Sequence, residues 1–207
     1  MKICVLGLDC AAPEVVFGDE RLVNLRRLMD LGVYGRLESV IPPITVPAWM
    51  WMCTSQDPGS LGVYGFRNRS NHSYDKLGFA NSASIQALAI WDQLAREGKR
   101  SIIVGVPPNY PPRRINGMSI GCFLTPDTVK NEFTHPASFK TTINELVGEY
   151  PVDVKNFRIR MPFLNTISGS TSKSGRLWNC SIKILWFWWC PIMVRKGSTA
   201  ESQSTNG

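Results

Sequence analysis

A chain of 207 residues, 43 % of them hydrophobic, can bury one sizeable core and predicts about one domain. The net charge of +7 lies at one end: residues 1–155 hold 16 Lys and Arg against 15 Asp and Glu, and residues 156–207 hold 7 against 1. A near-neutral front part argues against nucleic acid as a partner. The first residues form a strand pattern instead of a secretory signal, so we expect the cytoplasm as the compartment.

Strand and helix patterns alternate over the first hundred residues. The predicted elements are a strand over 2–9, a helix over 22–31 ended by Gly32, a weaker strand over 36–41, helices over 48–54 and 85–97, and a strand over 101–106. The first strand is apolar throughout, which is typical of a strand buried on both faces of a parallel sheet. This order predicts an α/β fold with a layered, mostly parallel sheet.

The six cysteines show no C-x-x-C pair and no zinc-finger spacing. Cys4 and Cys122 lie in apolar runs, which predicts reduced, buried thiols.

Two residues stand where phosphoryl-transfer chemistry needs them. Asp9 ends the first apolar run, at the carboxyl edge where open α/β sheets place ligands. Thr45 follows Pro42-Pro43 and precedes a helical stretch, so its hydroxyl would lie at a helix start that favours phosphate oxygens. Each residue has a structural alternative: Asp9 as the N-cap of a helix near Ala11, and Thr45 as a turn or cap residue.

Four segments carry a family resemblance. They are Gly7-Leu8-Asp9, residues 24–32, Pro43-Ile-Thr-Val-Pro-Ala-Trp49 and Asp57-Pro-Gly-Ser-Leu-Gly-Val63. In this order they resemble the alkaline phosphatase superfamily, and most of all its type I phosphodiesterase/nucleotide pyrophosphatase branch and the neighbouring phosphohydrolases and phosphomutases. The resemblance extends less distinctly to about residue 156. It implies a three-layer alkaline-phosphatase-like fold with a mostly parallel sheet, here truncated.

The resemblance also implies roles for individual residues. By resemblance, Thr45 would be the nucleophile and a metal ligand, and Asp9 would be a second metal ligand. The cofactors would be two divalent ions, Zn²⁺ or Mn²⁺. A metal lowers the pKa of a coordinated hydroxyl. A second metal ion about 4 Å away stabilises the oxygens on opposite sides of the phosphorus in an in-line displacement. Arg67 or Asn68 would hold a phosphate oxygen, although the alternative of surface polar residues is favoured for both. The substrate would be a phosphate ester or nucleotide-like small molecule.

Departures from the family pattern predict an incomplete site. Ser55 and Leu61 replace a loop glycine and a loop histidine, and neither histidine of the chain, His72 or His135, belongs to a family metal motif. Asp9 and Thr45 are a minority of the roughly six or seven ligands that two metals need. The sequence therefore predicts a metal-dependent phosphoric ester hydrolase that is inactive as this chain.

Residues 157–207 form a basic, Trp-rich tail and are predicted as a unit separate from residues 1–156. The apolar-aromatic stretch 182–191 is shorter than the ~20 residues of a membrane span. The composition of the tail has three interpretations: a membrane-surface segment, a nucleic-acid patch, or, as the favoured one, the product of a changed reading frame. A non-catalytic binding module and a non-functional remnant remain the alternatives to the hydrolase, and a phosphomutase is a variant of it. The oligomeric state stays open.

Overall fold

The computed structural model describes residues 2–71 and 73–150, and within them the chain forms six helices and five strands. The helices are α1 (Pro13–Gly18), α2 (Val23–Leu31), α3 (Thr45–Thr54), α4 (Pro58–Leu61), α5 (Ile90–Arg96) and α6 (Phe139–Val147). The strands are β1 (Arg67–Arg69), β2 (Leu77–Phe79), β3 (Ser101–Val104), β4 (Gly117–Ile120) and β5 (Thr134–His135). A single 3₁₀ turn covers Ser82–Ser84 in this part of the chain.

The strands form two small sheets. β1 and β2 make an antiparallel ribbon in which Arg67 faces Phe79 and Arg69 faces Leu77. The second sheet has the order β3-β4-β5: β3 and β4 are parallel, with Ile103 opposite Ser119, and β5 is antiparallel to β4. The parallel pair needs a crossover of about a dozen residues, which the proline-rich stretch 105–116 supplies.

A buried asparagine fixes that crossover against the sheet. The Nδ2 of Asn109 donates to Ser119 Oγ at 2.6 Å and to the Ile120 carbonyl at 3.1 Å. Its Oδ1 accepts from the backbone N–H of Arg113 at 3.1 Å. Because a buried amide without partners is costly, these bonds stabilise one path for the loop between β3 and β4.

The main hydrophobic core lies between α3, α5 and β3. Its buried residues are Val46, Trp49, Met50, Cys53, Val63, Ala80, Ile85, Ala89, Trp91 and Ile103. Smaller clusters lie under α1 and α2 (Val16, Leu22, Leu25) and under α6 (Ile120, Phe133, Ile143). The helix that carries Thr45 is therefore part of the best-packed region described.

The structure corrects two predicted strands. Residues 2–9 and 36–41 form neither helix nor strand, and apolar side chains of the first segment are exposed, Ile3 at 57 %. An apolar run becomes a strand only when a neighbour completes its hydrogen bonds. Within the described residues, the three strand pairs involve only β1 to β5. Cys4 is exposed as well, so its predicted burial is wrong, whereas Cys122 is buried as predicted.

The predicted helices are confirmed with shifted starts. α2 runs over Val23–Leu31 and ends at Gly32 as predicted. α3 begins at Thr45 rather than at residue 48, because Pro47 occupies a first-turn position where no intrahelical N–H bond is lost. α5 begins at Ile90 rather than at residue 85, because the Asp92 carboxylate accepts the N–H of Ala89 at 2.9 Å and fixes the start there.

The described residues thus show an α/β arrangement of helices with small mixed sheets. None of the helices described is long and apolar enough to cross a membrane. The predicted tail over 157–207 lies outside the described residues, as does His72.

Candidate functional site

Thr45 is the first helical residue of α3. The preceding residue, Ile44, has an extended backbone, and no side chain caps the helix. The alternative of Thr45 as a cap is therefore not realised. Its side chain is 6 % exposed, so its hydroxyl lies in a nearly dry environment where hydrogen bonds to charged groups are strengthened.

Asp9 does not cap a helix either. α1 begins at Pro13 with Ala12 as its N-cap residue, and the cap uses no side chain. Leu8 packs against the cluster under α1 and α2, which anchors the chain next to the carboxylate. The Asp9 side chain is thus available for contacts with distant parts of the chain.

The Asp9 carboxylate meets α3 at two points. Thr45 Oγ1 donates to Asp9 Oδ2 at 3.2 Å, across 36 residues of sequence, and Trp49 Nε1 donates to Asp9 Oδ1 at 3.3 Å. Thr45 and Trp49 are four residues apart, which places them on one face of the helix. The structure therefore brings together the two residues that the sequence singled out, and it adds a third.

Gly7 explains how the carboxylate reaches the helix. A Cβ at this position would lie 1.9 Å from Trp49 Cη2, far inside contact distance. Only glycine lets the indole ring lie against the backbone two residues before Asp9. The glycine of the Gly7-Leu8-Asp9 motif is thus required by packing.

The backbone turns sharply after the carboxylate. Cys10 adopts φ 55°, a left-handed conformation that costs a non-glycine residue roughly 1 kcal/mol. Its thiol lies 3.7 Å from Asp9 Oδ2. The turn redirects the chain from the site toward α1.

The other two predicted phosphate ligands have structural contacts in the ribbon. Asn68 Oδ1 accepts the N–H of Tyr64 at 2.8 Å, and its Nδ2 donates to the Gly65 carbonyl at 2.9 Å. The Arg67 guanidinium lies over the Phe79 ring, 4.9 Å from its centroid. These contacts agree with the structural alternative for both residues. The predicted phosphate contact stays a prediction.

A comparison with protein families finds a match for most of this chain. The model of the family described as type I phosphodiesterase / nucleotide pyrophosphatase matches residues 3–173, a range that includes Asp9, Thr45 and Trp49. The chain belongs to this family. No curated protein and no solved structure matches it. The match runs past residue 156, where the sequence predicted a boundary, and the boundary itself stays a prediction.

Ser55 shows what replacing the motif glycine does in this phosphodiesterase-family chain. Ser55 follows α3 with φ 57° and ψ 22°, the left-handed conformation that commonly ends helices and suits glycine. Its N–H still donates to the Trp51 carbonyl at 2.7 Å. The serine thus keeps the helix end and adds backbone strain ten residues after Thr45.

The motif that follows has a structural function in this family member. Asp57 caps α4, accepting the N–H groups of Gly59 at 2.8 Å and Ser60 at 3.0 Å. The Ser60 hydroxyl and these amides hold the pKa of the Asp57 carboxyl below its usual value. Leu61, which replaces the loop histidine, packs against the main core.

The donor set fits a divalent metal in part. A carboxylate oxygen and a hydroxyl oxygen 3.2 Å apart suit a cation that accepts oxygen ligands. A closed zinc site takes about four ligands. Over residues 2–71 and 73–150 no group of three His, Cys, Asp or Glu side chains comes together. The family is generally metal-dependent.

Sequence reasoning missed Trp49, although it lay inside a quoted motif. The signal is its spacing: a residue four positions after Thr45, which starts the helix, lies one turn along the same face. Its buried indole N–H needs an acceptor, and the nearest charged acceptor is the carboxylate of Asp9.

Proposed function

We propose that this chain is the amino-terminal part of a metal-dependent phosphoric ester hydrolase in which Thr45 is the nucleophile. The observation that carries the proposal is the 3.2 Å hydrogen bond from Thr45 Oγ1 to Asp9 Oδ2. A residue that only caps a helix or a turn needs no contact with a residue 36 positions away in the sequence. A contact over that distance is expected between a nucleophile and the carboxylate that binds the same metal.

Thr45 and Asp9 have different roles in the proposed reaction. Thr45 offers its oxygen at the first turn of α3, where the N–H groups of the first positions have no intrahelical acceptor and suit phosphate oxygens. Asp9 orients the hydroxyl by accepting its hydrogen bond. A divalent metal, when bound by Asp9 and Thr45, would lower the pKa of the hydroxyl.

The proposal includes the fold and the extent of activity. The three-layer, mostly parallel sheet of the alkaline phosphatase superfamily would form with further strands beside those described. With two candidate ligands within residues 2–71 and 73–150 instead of six or seven, we expect this chain to bind Mn²⁺ or Zn²⁺ weakly and to hydrolyse esters slowly or not at all. Cytoplasmic location and a small phosphate ester or nucleotide-like substrate are parts of the same proposal.

A test compares p-nitrophenyl phosphate and bis-p-nitrophenyl phosphate as substrates of the full chain with Mn²⁺ or Zn²⁺. Any turnover should vanish in Thr45→Ala, and Thr45→Ser, which keeps the hydroxyl, should retain part of it. Thr54→Ala is the matched control, because Thr54 lies at the other end of α3 and donates to the Met50 carbonyl at 2.7 Å. Turnover that persists in Thr45→Ala would contradict the nucleophile assignment.

If turnover is too slow to measure, metal titration tests the assignment of Asp9 as a ligand. Isothermal titration of the full chain with Mn²⁺ should give one weak site that Asp9→Asn abolishes and Thr54→Ala leaves unchanged. Binding that is equal in the wild type and Asp9→Asn would contradict the ligand assignment.

A further inference from the structure

We propose that Trp49 is a positioning residue of this site, whose indole N–H holds the Asp9 carboxylate in the orientation that faces Thr45. The inference rests on the proposed function, since orientation matters only where Asp9 serves a nucleophile or a metal. The residue acts through Asp9 and does not itself touch the reacting oxygen.

The two carboxylate oxygens have different partners. Trp49 Nε1 donates to Oδ1 at 3.3 Å, and Thr45 Oγ1 donates to Oδ2 at 3.2 Å. A carboxylate held at one oxygen only can rotate about its own axis. With the indole on Oδ1, rotation would break a charge-assisted hydrogen bond, so Oδ2 stays next to the Thr45 hydroxyl.

The indole itself is held rigidly. Trp49 is 8 % exposed, belongs to the main core, and lies against Gly7, where no Cβ would fit. A side chain locked by packing can fix its partner's position at little further entropy cost. An indole N–H is also a donor only, so it holds the carboxylate as an acceptor.

This arrangement has the form of an outer-shell contact to a metal ligand. Ligating carboxylates are commonly hydrogen-bonded by a second residue, and loss of that residue typically weakens metal affinity or activity about 10- to 100-fold. Trp49 supplies such a bond to Asp9, and its place one helical turn from Thr45 makes α3 the common support for both groups.

Trp51 offers a matched control. It lies on the same helix, about 200° around the axis from Trp49, and packs against Val40 and Ala48 instead of Asp9. Trp51→Phe removes the same atoms from α3 as Trp49→Phe does. A loss caused by general damage to the helix would appear in both variants.

The hydrogen bond can be tested without metal. In a ¹⁵N spectrum of the indole N–H groups, the Trp49 signal is the one that disappears in Trp49→Phe. Asp9→Asn should shift this signal clearly and leave the Trp51 signal in place. A Trp49 signal that does not move in Asp9→Asn would overturn the inference.

The positioning role can be tested by Mn²⁺ titration of the full chain. Trp49→Phe should weaken binding about 10- to 100-fold, and Trp51→Phe less than about twofold. Equal losses would overturn the role. If Trp49→Phe does not fold, Gly7→Ala is the second variant, because it displaces the ring and keeps the N–H. A wild type that binds no Mn²⁺ would count against the proposed metal site, whereas the indole spectrum would still decide about Trp49.

Discussion

The segments 2–9 and 101–104 are both rich in aliphatic residues, yet only the second forms a strand. The second forms β3, pairs with β4, and buries Ile103 in the main core. The first pairs with no strand in the described residues, and it meets the main core through Gly7 and Asp9 against Trp49. Apolar sequence alone therefore does not make a strand; a hydrogen-bonding neighbour does. A polar contact at the end of a run can hold a segment that has no such neighbour.

The largest expected difference between the exposed first segment, with Cys10 directly after it, and the buried core is in thiol reactivity. Burial raises the pKa of Cys53 to about 12 and of Cys122 to about 11, whereas Cys4 and Cys10 are exposed. The thiolate is the reactive form, so Cys53 and Cys122 should react with iodoacetamide at pH 8 at least about 100-fold more slowly. Peptide mass spectrometry after timed labelling measures each site. Comparable rates at Cys4 and Cys122 would contradict the described burial.

Two isoleucines test the same contrast in stability. Ile103→Ala should lower the free energy of unfolding by about 2–5 kcal/mol, because Ile103 is 5 % exposed and its removal leaves a cavity. Ile3→Ala should change it by less than about 0.5 kcal/mol, because Ile3 is 57 % exposed. Urea unfolding curves of the full chain give both values. A large loss of stability in Ile3→Ala would mean that the first segment is packed. Separately, a cooperative unfolding transition would argue against a non-functional, partially folded remnant.

Substitution at Gly7 tests how the unpaired segment is held. Gly7→Ala places a methyl group 1.9 Å from the Trp49 ring and should cost about 1–3 kcal/mol of stability through overpacking. The control is Gly35→Ala, where no atom lies within 4 Å of the new Cβ. Urea unfolding should show little change for Gly35→Ala. If the two variants matched, the indole would not lie against Gly7.

The smallest expected effect concerns the end of α3. Ser55→Gly should stabilise the chain by about 0.5–1 kcal/mol, because the strain relieved at φ 57° outweighs the chain entropy that glycine adds to the unfolded state. Gly62 also has a left-handed backbone, with φ 67°, so Gly62→Ser should lower the stability of the chain by a similar amount. Thermal melts of both variants measure the pair. A destabilised Ser55→Gly would point to a contact of the Ser55 hydroxyl that outweighs the strain.

The sequence predicted local features well and pairings poorly. The period of the leucines in 22–31 and Gly32 located α2 because both signals act within one helix. The predicted start of α3 at residue 48 is wrong because Pro47 lies inside the first turn, which tolerates proline. The strands over 2–9 and 36–41 depend on neighbours that no single segment encodes. Within the site, Asp9 and Thr45 were predicted from their positions at a strand end and a helix start, and the resemblance implied their roles, whereas the bond from Trp49 depends on how distant segments pack.

The contact between Asp9 and α3 also closes a loop, with consequences for how the intervening chain can vary. The entropy cost of joining the ends of a flexible loop grows with the logarithm of its length, so that a doubling adds only about 0.6 kcal/mol. Residues 33–38 of this loop are exposed. Insertions there should leave the site assembled, because its geometry is set where the two ends meet and hardly at all by the number of residues between them.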